Sequence, residues 1–120
     1  LSRQSLLHAL KARRTYGTTG TRMLLDFRID GHIMGEEIPV IAAPTMTLMV
    51  DAPCDIRNIR LMRDGVSAHE WNDQPAHVEI CWVDEWLNGD HLNDDHYYYV
   101  AITQSDGEMA WSSPIFLINN

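Results

Sequence analysis

Apolar and polar residues alternate along most of this chain with a period of two, and Asp-Gly dipeptides punctuate the alternation. In residues 23–29, Met23, Leu25, Phe27 and Ile29 fall on one face and Leu24, Asp26 and Arg28 on the other, the pattern of a half-buried strand. Asp30-Gly31 favours the left-handed backbone angles of a tight turn and sends the chain back through residues 32–38 as a first hairpin. Met46, Leu48 and Val50 alternate with Thr45, Thr47 and Met49 in a further strand, which Pro53 ends. Ile56, Ile59 and Leu61 lead to a turn at Asp64-Gly65 and a return through Val66 to Trp71. Val78, Ile80 and Trp82 alternate with Glu79, Cys81 and Val83, and residues 97–103 and 109–118 flank Asp106-Gly107 as a closing hairpin. Three Asp-Gly turns among short strands predict a mainly β fold, an antiparallel immunoglobulin-like β-sandwich of about 7 strands.

The start of the chain follows a different period. Leu6, Leu7 and Leu10 recur at helical spacing beside Ala9 and Ala12, with Ser2 or Ser5 placed to cap the beginning. Lys11, Arg13 and Arg14 crowd the last turn, where cations complement the carbonyl end of a helix. One short N-terminal helix is predicted. A helix of this length is marginal alone in water, so it needs the following sheet or another domain to pack on. The chain opens at Leu1 inside this pattern, without an initiator methionine, and reads as a piece of a longer product.

Composition narrows the function classes. A chain of 120 residues is one domain by size, and its net charge of -8, from 17 acidic against 9 basic side chains, disfavours nucleic acid and anionic membrane as partners. No apolar run approaches the ~20 residues of a membrane-spanning helix. Cys54 and Cys81 have no CxxC spacing and fit two reduced thiols or one bridge.

Three clusters carry candidate chemistry. The polar stretch 88–96 places His91 and His96 among Asp90, Asp94 and Asp95, all types that ligate divalent cations; the spacing matches no zinc or EF-hand motif, and a solvated loop explains the same residues. Arg13, Arg14, Tyr16, Thr18 and Thr19, with Gly20, form a basic, hydroxyl-bearing segment able to hold an anion, or simply a helix end followed by a turn. Trp71, Trp82, Trp86, Trp111 and the Tyr97-Tyr98-Tyr99 run offer stacking surfaces for a glycan. Alternation divides the tyrosines between two faces, however, and the scatter of the tryptophans over different strands favours a core role. Ser112 and Ser113 sit in a strand-like run before Pro114, unlike a nucleophile elbow, and no residue is assigned a catalytic role.

Three blocks, ALKARRTYGTTGTRMLLDFRIDGHIMGEEI at 9–38, IRLMRDG at 59–65 and YYYVAITQSDGEMAWSSPIF at 97–116, resemble the C-terminal part of an uncharacterised bacterial family related to PHP-type (polymerase and histidinol phosphatase-like) metallohydrolases. The resemblance implies an upstream catalytic barrel whose histidines and aspartates bind divalent metal. The His-x-His and late Asp-x-His motifs of such barrels are not in this chain, so no metal-ligand role passes to any residue here and no cofactor is expected in this piece. On this reading residues 1–21 are a helix and connecting segment left from the barrel, and residues 22–120 are an accessory β-sandwich whose partner is that barrel. The alternative is a carbohydrate- or protein-binding β-sandwich module, and a free-standing hydrolase built on His91 and His96 ranks last.

Overall fold

A computed structural model of the chain describes residues 16–18 and 22–119. The expected helix of residues 2–14 lies outside the described residues. Among the described residues there are eleven strands: β1 (Tyr16–Thr18), β2 (Leu24–Ile29), β3 (His32–Ile33), β4 (Glu37–Pro39), β5 (Thr45–Asp51), β6 (Ile56–Arg63), β7 (Val66–Gln74), β8 (His77–Val83), β9 (His96–Gln104), β10 (Met109–Ser112) and β11 (Ile115–Ile118). A 3-10 turn at Gly89–Asn93 sits in the connection between β8 and β9. The fold is mainly β and almost wholly antiparallel, as the alternation predicts; the β4–β11 pair alone is parallel among the described residues.

The strands form two sheets. In the smaller, β2 lies between β3 and β5, and β8 completes the order β3-β2-β5-β8. In the larger, β9 is the spine: β6 pairs along one side of it, β10 and β11 share the other, and β7, β1 and β4 extend the edges. Leu25, Phe27 and Ile29 of β2, Leu48 and Val50 of β5, Ile59 and Leu61 of β6, and Tyr98, Val100 and Ile102 of β9 are all buried in one cluster. The two sheets therefore face each other across a single core, each contributing alternate residues of its strands.

The strand count exceeds the expected number of about seven because two predicted strands are broken and because β1 forms within residues expected to be a connecting segment. The run 32–38 makes only two ladder residues as β3; Gly35, at φ 93, then redirects the chain to the other sheet, where it continues as β4 beside β11. The run 109–118 is split by Pro114, which has no N–H to give the ladder. Trp111 is opposite Ala101 but Ile115 is opposite Tyr98, a slip of one residue across the break. At that break the Ser112 hydroxyl accepts the buried N–H of Val100 at 3.0 Å, standing in for a missing carbonyl.

Two Asp-Gly turns have the predicted geometry. Asp30 and Gly31 take φ 47 and 84, and Asp64 and Gly65 take φ 53 and 86, the double left-handed pattern of a type I′ hairpin. At the third, only Gly107 is left-handed (φ 92), and the Gly107 N–H donates to the Gln104 carbonyl at 3.0 Å, so this is the longer hairpin built on a type I turn. Asp106 serves it with its side chain: its carboxylate accepts the Glu108 N–H at 2.9 Å and the Gln104 amide at 3.1 Å, and these bonds hold its carboxyl below the usual range.

The tryptophans divide between the surface and the edge of the core. Trp111 and Trp86 are 43% and 41% exposed. Trp71 and Trp82 are half-buried at the open seam between β7 and β8, where His69 stacks on Trp82 at 5.1 Å and meets Trp71 edge-on at 4.6 Å. Core volume comes instead from aliphatic residues, Phe27 and Tyr98, because a two-sheet interior about 10 Å thick is filled by side chains of that size.

Gly31 and Gly65 provide a matched pair of tests. Alanine at either position must adopt a left-handed backbone, costing about 1–2 kcal/mol. A Cβ at Gly31 meets nothing within 4 Å, whereas at Gly65 it meets the Tyr97 hydroxyl at 3.2 Å. Gly65→Ala is therefore expected to lower the urea midpoint more than Gly31→Ala, and adding Tyr97→Phe should bring the two costs together.

Candidate functional site

The densest polar cluster forms at one end of the domain, where the β6–β7 turn, the end of β8 and the start of β9 converge. β8 stops where Asp84 comes opposite Pro44: the Asp84 N–H still donates to the Pro44 carbonyl at 3.0 Å, but proline has no N–H to return. Asp84 is 1% exposed, and burying a charge this fully requires compensating donors. Arg63 Nη1 and the Tyr98 hydroxyl both donate to its Oδ2 at 2.7 Å, and the Trp86 N–H donates to Oδ1 at 3.3 Å. Burial first, and then the Asp84 carboxylate beside it, pushes the Tyr98 phenol far above its ordinary range. It is a fixed hydrogen-bond donor.

From Asp84 the network spreads toward solvent. The Arg63 guanidinium lies over the Trp86 ring at 3.8 Å, a cation–π contact on the exposed side of the ion pair. Trp86 in turn stacks on His91 at 3.6 Å, and His91 Nδ1–H donates to the Trp86 carbonyl at 2.8 Å. Next to this stack, His96 is buried between two acceptors: Nδ1 donates to Asp64 Oδ2 at 2.7 Å and Nε2 to the His91 carbonyl at 2.6 Å. A carboxylate and a carbonyl only accept, so this geometry favours the doubly protonated ring. Burial by itself lowers the His96 pKa, but the Asp64 and His91 hydrogen bonds and the charges of Asp64 and Asp94 outweigh it, and the net shift is upward. Asp64 completes the clasp by accepting the Tyr97 N–H at 3.0 Å.

This arrangement fastens a loop. Each charged group of the cluster points at another member of it, and the connection 84–95 is held to the β6–β7 turn by two charged pairs, Arg63–Asp84 and His96–Asp64.

The metal candidates are separated by the same geometry. His96 has both nitrogens engaged, His91 is stacked on Trp86, Asp94 acts on His96 through its charge, and Asp95 Oδ1 accepts the Asn119 N–H at 2.7 Å. Among the described residues no group of three or more His, Cys, Asp or Glu side chains converges as a metal site. Of the anion-binding candidates, Arg13, Arg14 and Thr19 lie outside the described residues, while Tyr16 and Thr18 belong to β1 and pair with Ser112 and Ala110 of β10. Cys54 and Cys81 are both free thiols.

A second feature lies on the outward face of the larger sheet. Tyr97, Tyr99 and Ala101 of β9, Met109 and Trp111 of β10, and Phe116 of β11 line an open concavity of about 700 Å³. Tyr97 and Tyr99 stand parallel at 6.4 Å, and Phe116 tilts against Tyr97 at 6.2 Å. Ala101 and Gly17 are the register partners of Trp111 on either side, and the indole is exposed. Of the aromatic residues that the sequence offered for such a face and then set aside for core packing, Tyr97, Tyr99 and Trp111 share it, whereas Tyr98 is buried, Trp71 and Trp82 lie at the β7–β8 seam and Trp86 lies over Arg63.

Asp84, Arg63, Asp64 and Tyr98 escaped the sequence reading. One signal was present: Tyr98 shares parity with Val100 and Ile102, so it had to be buried, and a buried hydroxyl needs a partner.

Comparison with known proteins gives relatives without a described activity. The chain is 32% identical to an uncharacterized protein of Chlamydia muridarum, over 97% of this chain and 21% of that protein. It is 31% identical to one of Chlamydia trachomatis and 30% identical to one of Chlamydia pneumoniae, with the same coverage. The chain thus spans about a fifth of the length of the curated relatives it matches. No family model and no solved structure gives a significant match.

The His96 clasp makes a pH prediction. Its folded pKa is raised above the ordinary 6.5, so its stabilisation is complete below that value and disappears as pH rises through the folded pKa. The stability difference between the native chain and His96→Gln, measured by urea unfolding, should be largest near about pH 6 and shrink by about pH 9. A difference that is constant across this window would rule out the charged clasp.

Proposed function

We propose that this chain is a noncatalytic accessory domain of a longer protein, folded as an immunoglobulin-like β-sandwich. The observation that carries the reading is the bolted end: Asp84, Arg63, Tyr98, Asp64 and His96 are the residue types from which an active site could be built, and each is spent on holding the loop 84–95 in place. Two features favour the immunoglobulin-like form. From β5 onward the chain alternates between sheets in the order β5, then β6 and β7, then β8, then β9 to β11, as the strands of such sandwiches do. Tyr98, near the start of β9, bonds back to Asp84 at the preceding corner, a side-chain version of the tyrosine corner.

The resemblance of the three sequence blocks extends the proposal to the rest of the protein. There the longer chain carries a PHP-like barrel that binds divalent metal and hydrolyses a substrate not yet identified, and this domain packs on it. The purified 120-residue chain is accordingly expected to show no turnover of p-nitrophenyl phosphate with added manganese or zinc. Metal-dependent turnover by this chain alone would overturn the accessory reading.

A binding module is the second reading, favoured by the outward aromatic face. Tyr97, Tyr99, Trp111 and Phe116 present flat apolar surfaces of the kind that stack on sugar rings or grip an apolar peptide. If the ligand is a glycan, the native chain should be retained on a glycan array and Trp111→Ala should abolish retention. No retained glycan, or retention unaffected by Trp111→Ala, would remove the carbohydrate form of this reading.

A further inference from the structure

The aromatic concavity of the larger sheet has a cation at its border. Arg60 lies on β6 between Ile59 and Leu61, both buried in the core, so its side chain takes the outward face. Its register partner on β9 is Ala101, which in turn is opposite Trp111 on β10. The three residues form one row across the sheet, with the small Ala101 in the middle. Neighbouring strands lie ~4.8 Å apart, so Arg60 and Trp111 rise from the sheet about 10 Å from each other.

Arg60 differs from the cations near it in the fold. Arg28 is paired with Asp26, Arg63 with Asp84, and Arg57 donates to the Ser105 carbonyl at 2.9 Å. Arg60 Nε, by contrast, is the one buried side-chain nitrogen or oxygen among the described residues that has no hydrogen-bond partner. Glu70, opposite Arg60 on β7, is exposed and accepts from the Ser67 hydroxyl at 3.5 Å. A buried donor without an acceptor carries its full desolvation penalty, and the acceptor that matches an arginine fork is a carboxylate. On a chain of net charge -8, such a cation beside an aromatic strip selects for an anionic group.

We propose that this face binds an acidic glycan, with one sugar ring stacked on Trp111 and the carboxylate of a neighbouring uronate at Arg60. The inference rests on the binding-module reading of this face and names its ligand class. A disaccharide spans the distance of about 10 Å between the two anchors. β9 and β10 are each paired along both edges, so the face offers an extended peptide no free backbone N–H or carbonyl. A peptide lying here would lose water from its own backbone against Tyr99 and Trp111 without replacement. A sugar ring avoids that loss, because its C–H face covers the indole while its hydroxyls stay in water at the rim.

Array binding of the native chain to oligomers of galacturonate, glucuronate and mannuronate, and to the same oligomers with their carboxylates reduced to alcohols, tests it. At least one acidic series should be retained about tenfold or more above its reduced counterpart, the worth of one charge-assisted contact. Trp111→Ala should abolish that retention, and Arg60→Gln should bring acidic and reduced forms level at an unchanged urea midpoint. Equal retention of acidic and reduced forms by the native chain overturns the proposal and leaves the binding reading standing; retention of neither removes both. Acid-selective retention that survives Arg60→Gln or Trp111→Ala also overturns it. So does retention confined to arrayed peptides rich in aspartate and glutamate, which assigns the face to a protein.

Discussion

The two-residue period of β9 is the constraint on which the rest of the structure depends. This strand pairs with β6, β10 and β11, so its register sets that of the whole larger sheet. Tyr98, Val100, Ile102 and Gln104 point inward and are buried, while Tyr97, Tyr99 and Ala101 point outward into the aromatic concavity. A slip of one residue would exchange the two sets, placing the Tyr98 hydroxyl in solvent and three outward side chains in the core. The bolt at Asp84 guards against that slip, because only the native parity brings Tyr98 to the carboxylate.

Buried charge at Asp84 and His96 is a costly way to order a loop, and its geometry explains why the cost is sustained. An isolated carboxylate in a protein interior is strongly unfavourable, but three donors reach Asp84 and two of them approach to 2.7 Å. Arg63 keeps one side of its guanidinium against Trp86 and so is shielded without being fully buried. Removing Asp84 would leave the Tyr98 hydroxyl buried without its acceptor, and removing Arg63 would take the counter-cation from a buried carboxylate. The cluster therefore acts as a unit, and effects of substitutions within it will not add.

How much of this was legible in the sequence follows from the range of each interaction. Strand alternation and Asp-Gly turns are local, and β2, β5, β6, β8 and the turns at Asp30-Gly31 and Asp64-Gly65 match what residue period and turn chemistry predict. The breaks at Gly35 and Pro114 depend on which strand sits alongside, information a linear pattern does not hold, and so two predicted strands became four. The exposure of Trp111 was missed for the same reason: alternation says that Trp111 and Ala110 face opposite ways but not which way is in. His96 was singled out for the wrong chemistry. Its neighbours in sequence suggested a metal, whereas its partner in space is Asp64, 32 residues earlier in the chain.

The two outward faces end up with opposite characters, and this bears on how the domain can sit within a longer protein. The smaller sheet has a buried, charged centre, where Arg28 is paired with Asp26, so it presents little apolar surface to another domain. The larger sheet offers an uncovered strip of Tyr97, Tyr99, Trp111 and Phe116, surface whose burial releases water at roughly 25 cal/mol per Å². On the accessory reading, that strip is the face with most to gain from the catalytic part of the chain; on the binding reading, it is the face left free for a ligand. Either way the aromatic residues of β9, β10 and β11 do their work outward, and it is the inward set, anchored by Tyr98 on Asp84, that keeps them in place.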